Sequence, residues 1–156
     1  APRERTPILE ARLAVLGAEL IVETLARMGQ GAVTPTPQDP TLATVTGKLE
    51  RKLGRIEWRE SAEVLARRCR AFDPWPGLFA SFRGARLKIH GLEVGDSRPG
   101  DEEPGTVLEL SSAGIAVRCG VGSVALLTDV QREGKRRLPA DAFIIGERVA
   151  PGEKFR

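Results

Sequence analysis

Arg70-Ala71-Phe72-Asp73-Pro74-Trp75-Pro76-Gly77 separates two kinds of sequence. Before it the apolar residues recur at helical spacing. After it they fall into short runs broken by turn signals. Pro74 and Pro76 each remove a backbone donor and push the residue before them into extended conformations, so a helix that reaches Phe72 stops there. Trp75 is a large apolar anchor between them, expected to be mostly buried and to hold the helix to the domain that follows. Gly77 frees the backbone to enter the next segment.

Working back towards the N-terminus, Ser61 is placed to cap this helix. Ala62, Leu65, Cys69 and Phe72 recur at three, four and three and share one face. Thr41 to Gly54 is polar and basic, and a short helix is expected over Lys48 to Leu53, ended by Gly54. Gly31 to Pro40 carries Pro35, Pro37 and Pro40, the signature of an extended linker, polyproline-like in part. Thr6-Pro7 reads as the start of a first helix, with Thr6 at the cap, and Gly29 reads as its end. Leu9, Leu13, Leu16 and Leu20 give that helix an apolar face it cannot bury alone. It must pack on the second domain, on another copy of the chain, or on a domain that this sequence lacks.

Working forward, five strands are expected over Leu78–Phe82, Leu87–Leu92, Thr106–Leu110, Ile115–Cys119 and Val124–Val130. Asp96 to Pro104 is acidic and rich in Gly and Pro, so it reads as a mobile surface loop. Pro139 to Ile145 reads as a short helix closed by Gly146. The fold class is therefore mainly β with flanking helices: an OB-like five-stranded barrel preceded by a helix and a Pro-rich linker. The expected organisation is 1–30 for the first helix, 31–55 for the linker and 56–156 for the barrel.

Composition narrows the function. The 156-residue chain carries a net charge of +3 and a pI near 9.2, which favours a polyanionic partner, nucleic acid before a membrane surface. No run of about 18 apolar residues exists to span a bilayer, and no secretory signal is visible. Cys69 and Cys119 form no C-x-x-C, and His90 is the only histidine. A Cys/His metal site is not expected, and the cysteines read as small core residues in a reducing compartment. The chain opens at Ala1, as a processed product or a fragment would. No nucleophile, metal or phosphate-loop constellation emerges, and Gly120-Val121-Gly122 reads as a hairpin turn.

Several stretches, in order, resemble the methionyl-tRNA formyltransferase family. They are Leu13 to Leu20, Gln38 with Thr44 and Lys48-Leu49, Ile56-Glu57-Trp58, and Arg70-Ala71 with Pro74-Trp75-Pro76-Gly77. Gly105 to Leu108, Gly114 to Val117, Val130-Gln131 with Gly134-Lys135-Arg136, and Phe143 with Gly146 complete the series. Val45-Thr46 and Glu57 depart from the family's usual Tyr-Ala and Asp. The resemblance implies that 1–30 is the last helix of an N-terminal catalytic domain. That domain carries the catalytic Asn, His and Asp and binds the formyl donor, 10-formyltetrahydrofolate. No catalytic, cofactor-binding or metal-binding residue is therefore expected in this span. It also implies initiator methionyl-tRNA as the partner, a cytoplasmic location, and a C-terminal domain that orients tRNA. Related formyltransferases that act on other substrates share a similar C-terminal barrel.

The bases lie where such a role would need them. From Lys48 to Lys88 they outnumber acids eleven to five. Arg and Lys in such a groove neutralise phosphates and release counterions. The candidate RNA-binding residues are Lys48, Arg51, Lys52, Arg55, Arg70, Arg86, Lys88, Lys135, Arg136 and Arg137. Arg86 and Lys88 fall two apart on one strand and so share a face. Most aromatics occupy expected core positions, so base stacking is not expected to dominate. Against this stand two other readings: a free-standing assembly module that associates through its first helix, and a complete small enzyme, which the scattered acids and single histidine disfavour.

Overall fold

The computed structural model describes residues 4–156, which divide into two compact units, one ending at Leu49 and one over Glu50–Arg156. In the first, α1 spans Thr6–Gly29. Its N-cap is Arg5, with no side-chain cap, so Thr6 and Pro7 are already the first helical residues rather than cap and first turn. Within this unit the helix buries no residue. Leu13, Leu16 and Leu20 are each more than half exposed. Residues 32–39 have no regular structure, and a single turn of 3-10 helix follows at Pro40–Leu42.

The second unit is a six-stranded, fully antiparallel sheet with flanking helices. Its strands are β1 (Leu78–Phe82), β2 (Ala85–Val94), β3 (Val107–Ser111), β4 (Gly114–Arg118), β5 (Val124–Arg132) and β6 (Arg137–Pro139). The order is β1-β2-β5-β4-β3, with β6 paired to the later half of β5. Leu78, Ala80 and Phe82 point inwards from β1, while Phe79 and Ser81 take the other face, the period-two pattern of a half-buried strand. β4 is buried along its whole length. The sixth strand was not expected: Arg137-Leu138-Pro139 is only three residues long, and Pro139 reads as the start of the helix that follows.

The chain's last residues join the two free edges of the sheet. Phe155 N donates to Gly105 O at 2.8 Å and Val107 N to Glu153 O at 2.8 Å, beside β3. On the β1 side Arg156 N donates to Ser81 O at 2.8 Å. Phe155 is buried against Phe82, with ring centroids 4.9 Å apart, and Phe82 in turn meets Phe143 at 5.9 Å. Phe143 comes from α3 (Ala140–Glu147). That helix runs through Gly146, its expected end, and stops at Arg148, which adopts a left-handed conformation (φ 50°) and lets its N–H bond back to Ile144 and Ile145 carbonyls.

α2 (Ala62–Ala71) begins as its sequence indicates, with the Ser61 side chain accepting from Val64 N. Ala62, Leu65, Ala66 and Cys69 are buried against the sheet. Two expectations around it fail. Trp75 is 52 % exposed, and Pro76 is the buried residue of the turn. The aromatic anchor is instead Trp58, 6 % exposed and 6.0 Å from the Phe155 ring. The expected helix over Lys48 to Leu53 is a 3-10 turn over Arg51–Gly54. It is not free chain: Arg68 of α2 donates to Leu53 O and Arg55 O while pairing with Glu60, and Ile56 N bonds Phe79 O at 2.9 Å. Gly54 lies so close to Gly77 that a Cβ there would stand 2.1 Å from the Gly77 carbonyl oxygen.

The acidic loop after β2 is exposed but tied down. Arg118, 2 % exposed, reaches from β4 to Arg98 O at 2.7 Å and to Glu102 at 2.5 Å. The Arg118 hydrogen bond holds the Glu102 carboxyl below its usual pKa. Both cysteines are buried thiols outside any disulfide, and burial pushes the Cys119 thiol up to about 12.

Candidate nucleic-acid interface

Three of the predicted bases converge. Arg51, Arg86 and Lys88 line one cleft of about 180 Å³ together with Gln131, Arg132, Glu133 and Gly134. Arg86 and Lys88 alternate outwards on β2. Lys88 lies across from Phe79 of β1 on one side and Gln131 of β5 on the other. The Arg86 guanidinium sits 3.7 Å over the Phe79 ring, which fixes a long side chain that would otherwise lose much entropy on binding. Its Nε is buried without a hydrogen-bond partner. Arg51 arrives from the 3-10 turn held by Arg68.

The rim is also built. Gln131 Nε2 donates to Lys135 O at 2.7 Å. That carbonyl can only accept, so Gln131 Oε1 faces the other way, 2.9 Å from His90 Nε2. The pair fixes the β5–β6 turn that brings Lys135 and Arg136 past Gly134. Within the cleft Arg132 is neutralised by Glu147, and Glu133 is the one acid among the lining residues. Arg51, Arg86 and Lys88 thus dominate its charge.

The other predicted residues are dispersed. Lys52 pairs with Glu50 at 2.8 Å, and Arg137 with Asp129 at 2.9 Å. Arg70 is half-buried, with Nη1 on Ala66 O at 3.1 Å, so it does not line the cleft. Arg55 lines a different depression with Trp58, Arg59, Lys154 and Arg156. Lys48 belongs to the first unit. Gln131, Arg132 and Glu133 escaped the sequence reading because only the β2–β5 register sets Gln131 opposite Lys88. Among the described residues no three potential metal ligands cluster, and no helix is long and apolar enough to cross a membrane.

Residues 48–148 match the model of the formyl transferase C-terminal domain. The chain belongs to that family. Curated relatives agree with the formyl transferase C-terminal assignment. The chain is 42% identical over 156 residues to the methionyl-tRNA formyltransferase of Burkholderia multivorans. It is 44% identical over 154 residues to that of Roseiflexus sp. strain RS-1. Each match takes in 99% of this chain and 47% of the relative, so the chain spans about half the length of the curated relatives it matches. Among solved structures, a variant of HypX from Aquifex aeolicus superposes with a TM-score of 0.65 at 23% identity, over 93% of this chain and 26% of that one. At that identity the likeness is one of fold.

Proposed function

We propose that this chain is the C-terminal, tRNA-binding portion of a methionyl-tRNA formyltransferase, and that the Arg51–Arg86–Lys88 cleft receives backbone phosphates of initiator methionyl-tRNA. The observation that carries the reading is the convergence of three unneutralised cations from two separate segments, one of them stacked in place on Phe79. The names of the relatives supply the substrate class. Formyl transfer and 10-formyltetrahydrofolate binding belong, on this reading, to a preceding catalytic part, and residues 4–156 have no turnover alone. Residues 1–30 are the last helix of that part, its apolar face docking there, and 31–55 form the linker. The sheet with its edges bridged by residues 152–156 is an OB-like barrel of five principal strands, with β6 as an accessory. The protein works in the cytoplasm, beside translation.

The test is tRNA binding as a function of salt. Arg51, Arg86, Lys88, Lys135 and Arg136 offer four to five simultaneous phosphate contacts. The observed binding constant is expected to fall with a log–log slope of roughly −3 to −5 and to vary little among tRNAs. Binding that ignores salt would remove the reading, and so would formyl transfer by this chain alone.

A further inference from the structure

Trp75 is not the residue that anchors its turn. Buried Pro76 anchors the turn after α2, and the Gly77 N–H closes it on Phe72 O at 2.9 Å. Trp75, between two prolines, is left 52 % exposed. Tryptophan is usually well buried, so an exposed one on a closed turn is informative. The flanking prolines restrict its backbone, which lowers the cost of ordering it against a ligand.

Its position decides which ligand. Gly77, two residues on, packs directly on Gly54, which closes the turn that carries Arg51. Phe79, two residues further, carries Arg86 on its ring. The tryptophan turn is therefore joined, through Gly54 and Phe79, to the two segments that carry Arg51 and Arg86. An aromatic face beside a row of cations is how single-stranded nucleic acid is held, the cations on phosphates and the ring on a base.

We propose that Trp75 stacks on an unpaired RNA base whose flanking phosphates occupy the Arg51–Arg86–Lys88 cleft. The inference rests on the RNA reading above and adds a base contact to it. Stacking is tolerant of base identity, so it adds affinity for unpaired segments without sequence readout.

Tryptophan fluorescence tests it in the full chain, because the only other tryptophan, Trp58, is buried. The probes are tRNA, single-stranded oligoadenylate and heparin, a polyanion without bases. Both RNAs are expected to quench the emission, while heparin competes for the cleft without quenching. Trp75→Ala is expected to lose the quench and to weaken both RNAs roughly 5- to 100-fold. It should leave heparin affinity and the salt slope unchanged. Trp75→Phe, which keeps a smaller ring, is expected to recover most of the affinity and guards against a folding defect.

If Trp75→Ala binds RNA as tightly as the parent, the stacking inference fails while the phosphate cleft stands. Equal weakening of RNA and heparin would mean that the ring only shapes the cleft, and would also overturn it. A change in sedimentation without RNA would assign Trp75 to a protein contact instead. If no RNA binds with a salt dependence, the reading and the inference fall together.

Discussion

Exchanging the two tryptophans for alanine should give opposite outcomes, and the difference can be worked from their surroundings. Trp58 is 6 % exposed and packs on Phe155 at 6.0 Å. Gly105 leaves so little room that a Cβ there would stand 3.1 Å from the Trp58 ring and 2.3 Å from Phe155 O. The ring therefore supports the C-terminal residues that bridge β1 and β3. Truncating a core aromatic of this kind costs about 3–5 kcal/mol. With a urea m-value near 2 kcal/mol/M, the midpoint falls by roughly 1.5–2.5 M. Trp75 is 52 % exposed, and its removal should cost less than about 1 kcal/mol, a midpoint shift under roughly 0.5 M. The assay is urea unfolding followed by far-UV circular dichroism, which does not depend on tryptophan emission. A larger loss for Trp75→Ala than for Trp58→Ala would refute the assignment of Trp58 as the anchor.

Three further outcomes are expected. Gly54→Ala drives a methyl against the Gly77 carbonyl. It should cost about 1–3 kcal/mol by overpacking, and by moving Arg51 it should weaken RNA binding; unchanged urea and RNA titrations would contradict this. Glu102 has its folded pKa lowered from the ordinary 4.5 by the Arg118 hydrogen bond. Its tie on the loop is thus fully present above that value and lost as pH falls through the lowered one; Arg118 side-chain NMR signals should move with a midpoint below 4.5, and a midpoint at or above it would count against the bond. Cys69 and Cys119 are buried, and the Cys119 thiol is pushed up to about 12. Neither should react with a thiol reagent at neutral pH until the protein is denatured, and rapid native labelling would place one of them at the surface.

Local features were legible and directions were not. The five longer strands stand close to their expected places, because alternation such as Leu78, Ala80, Phe82 and turn glycines between runs are local signals. The Ser61 cap is likewise local. Trp75 departs from its expected burial because a residue between prolines can face in or out, and here Pro76 takes the inward place. Trp58 lies in no periodic segment, so nothing in the sequence marked it as the anchor. Arg118 sits in a strand buried throughout, held by the loop 96–104 that it satisfies; a charged residue in that position reads as solvent-facing until the partner loop is known. The cleft was half legible. Arg86 and Lys88 share a face by spacing alone, but Arg51 and Gln131 join them only through tertiary packing and strand register. Arg70, Lys52 and Arg137 dropped out because their own neighbours bind them.

The proposed function puts tRNA phosphates in the Arg51–Arg86–Lys88 cleft. Its most direct test is the salt dependence of tRNA affinity for two triple variants with equal charge loss. Replacing Arg51, Arg86 and Lys88 by Gln should flatten the log–log slope by about two to three units and weaken all tRNAs alike, since each phosphate contact contributes roughly 0.9 to it. Replacing Lys52, Arg55 and Arg137, which are paired with acids or lie outside the cleft, should leave the slope within about one unit of the parent. Equal flattening by both triples would mean that net charge alone drives binding, and an unchanged slope in the first would show that the cleft holds no phosphate.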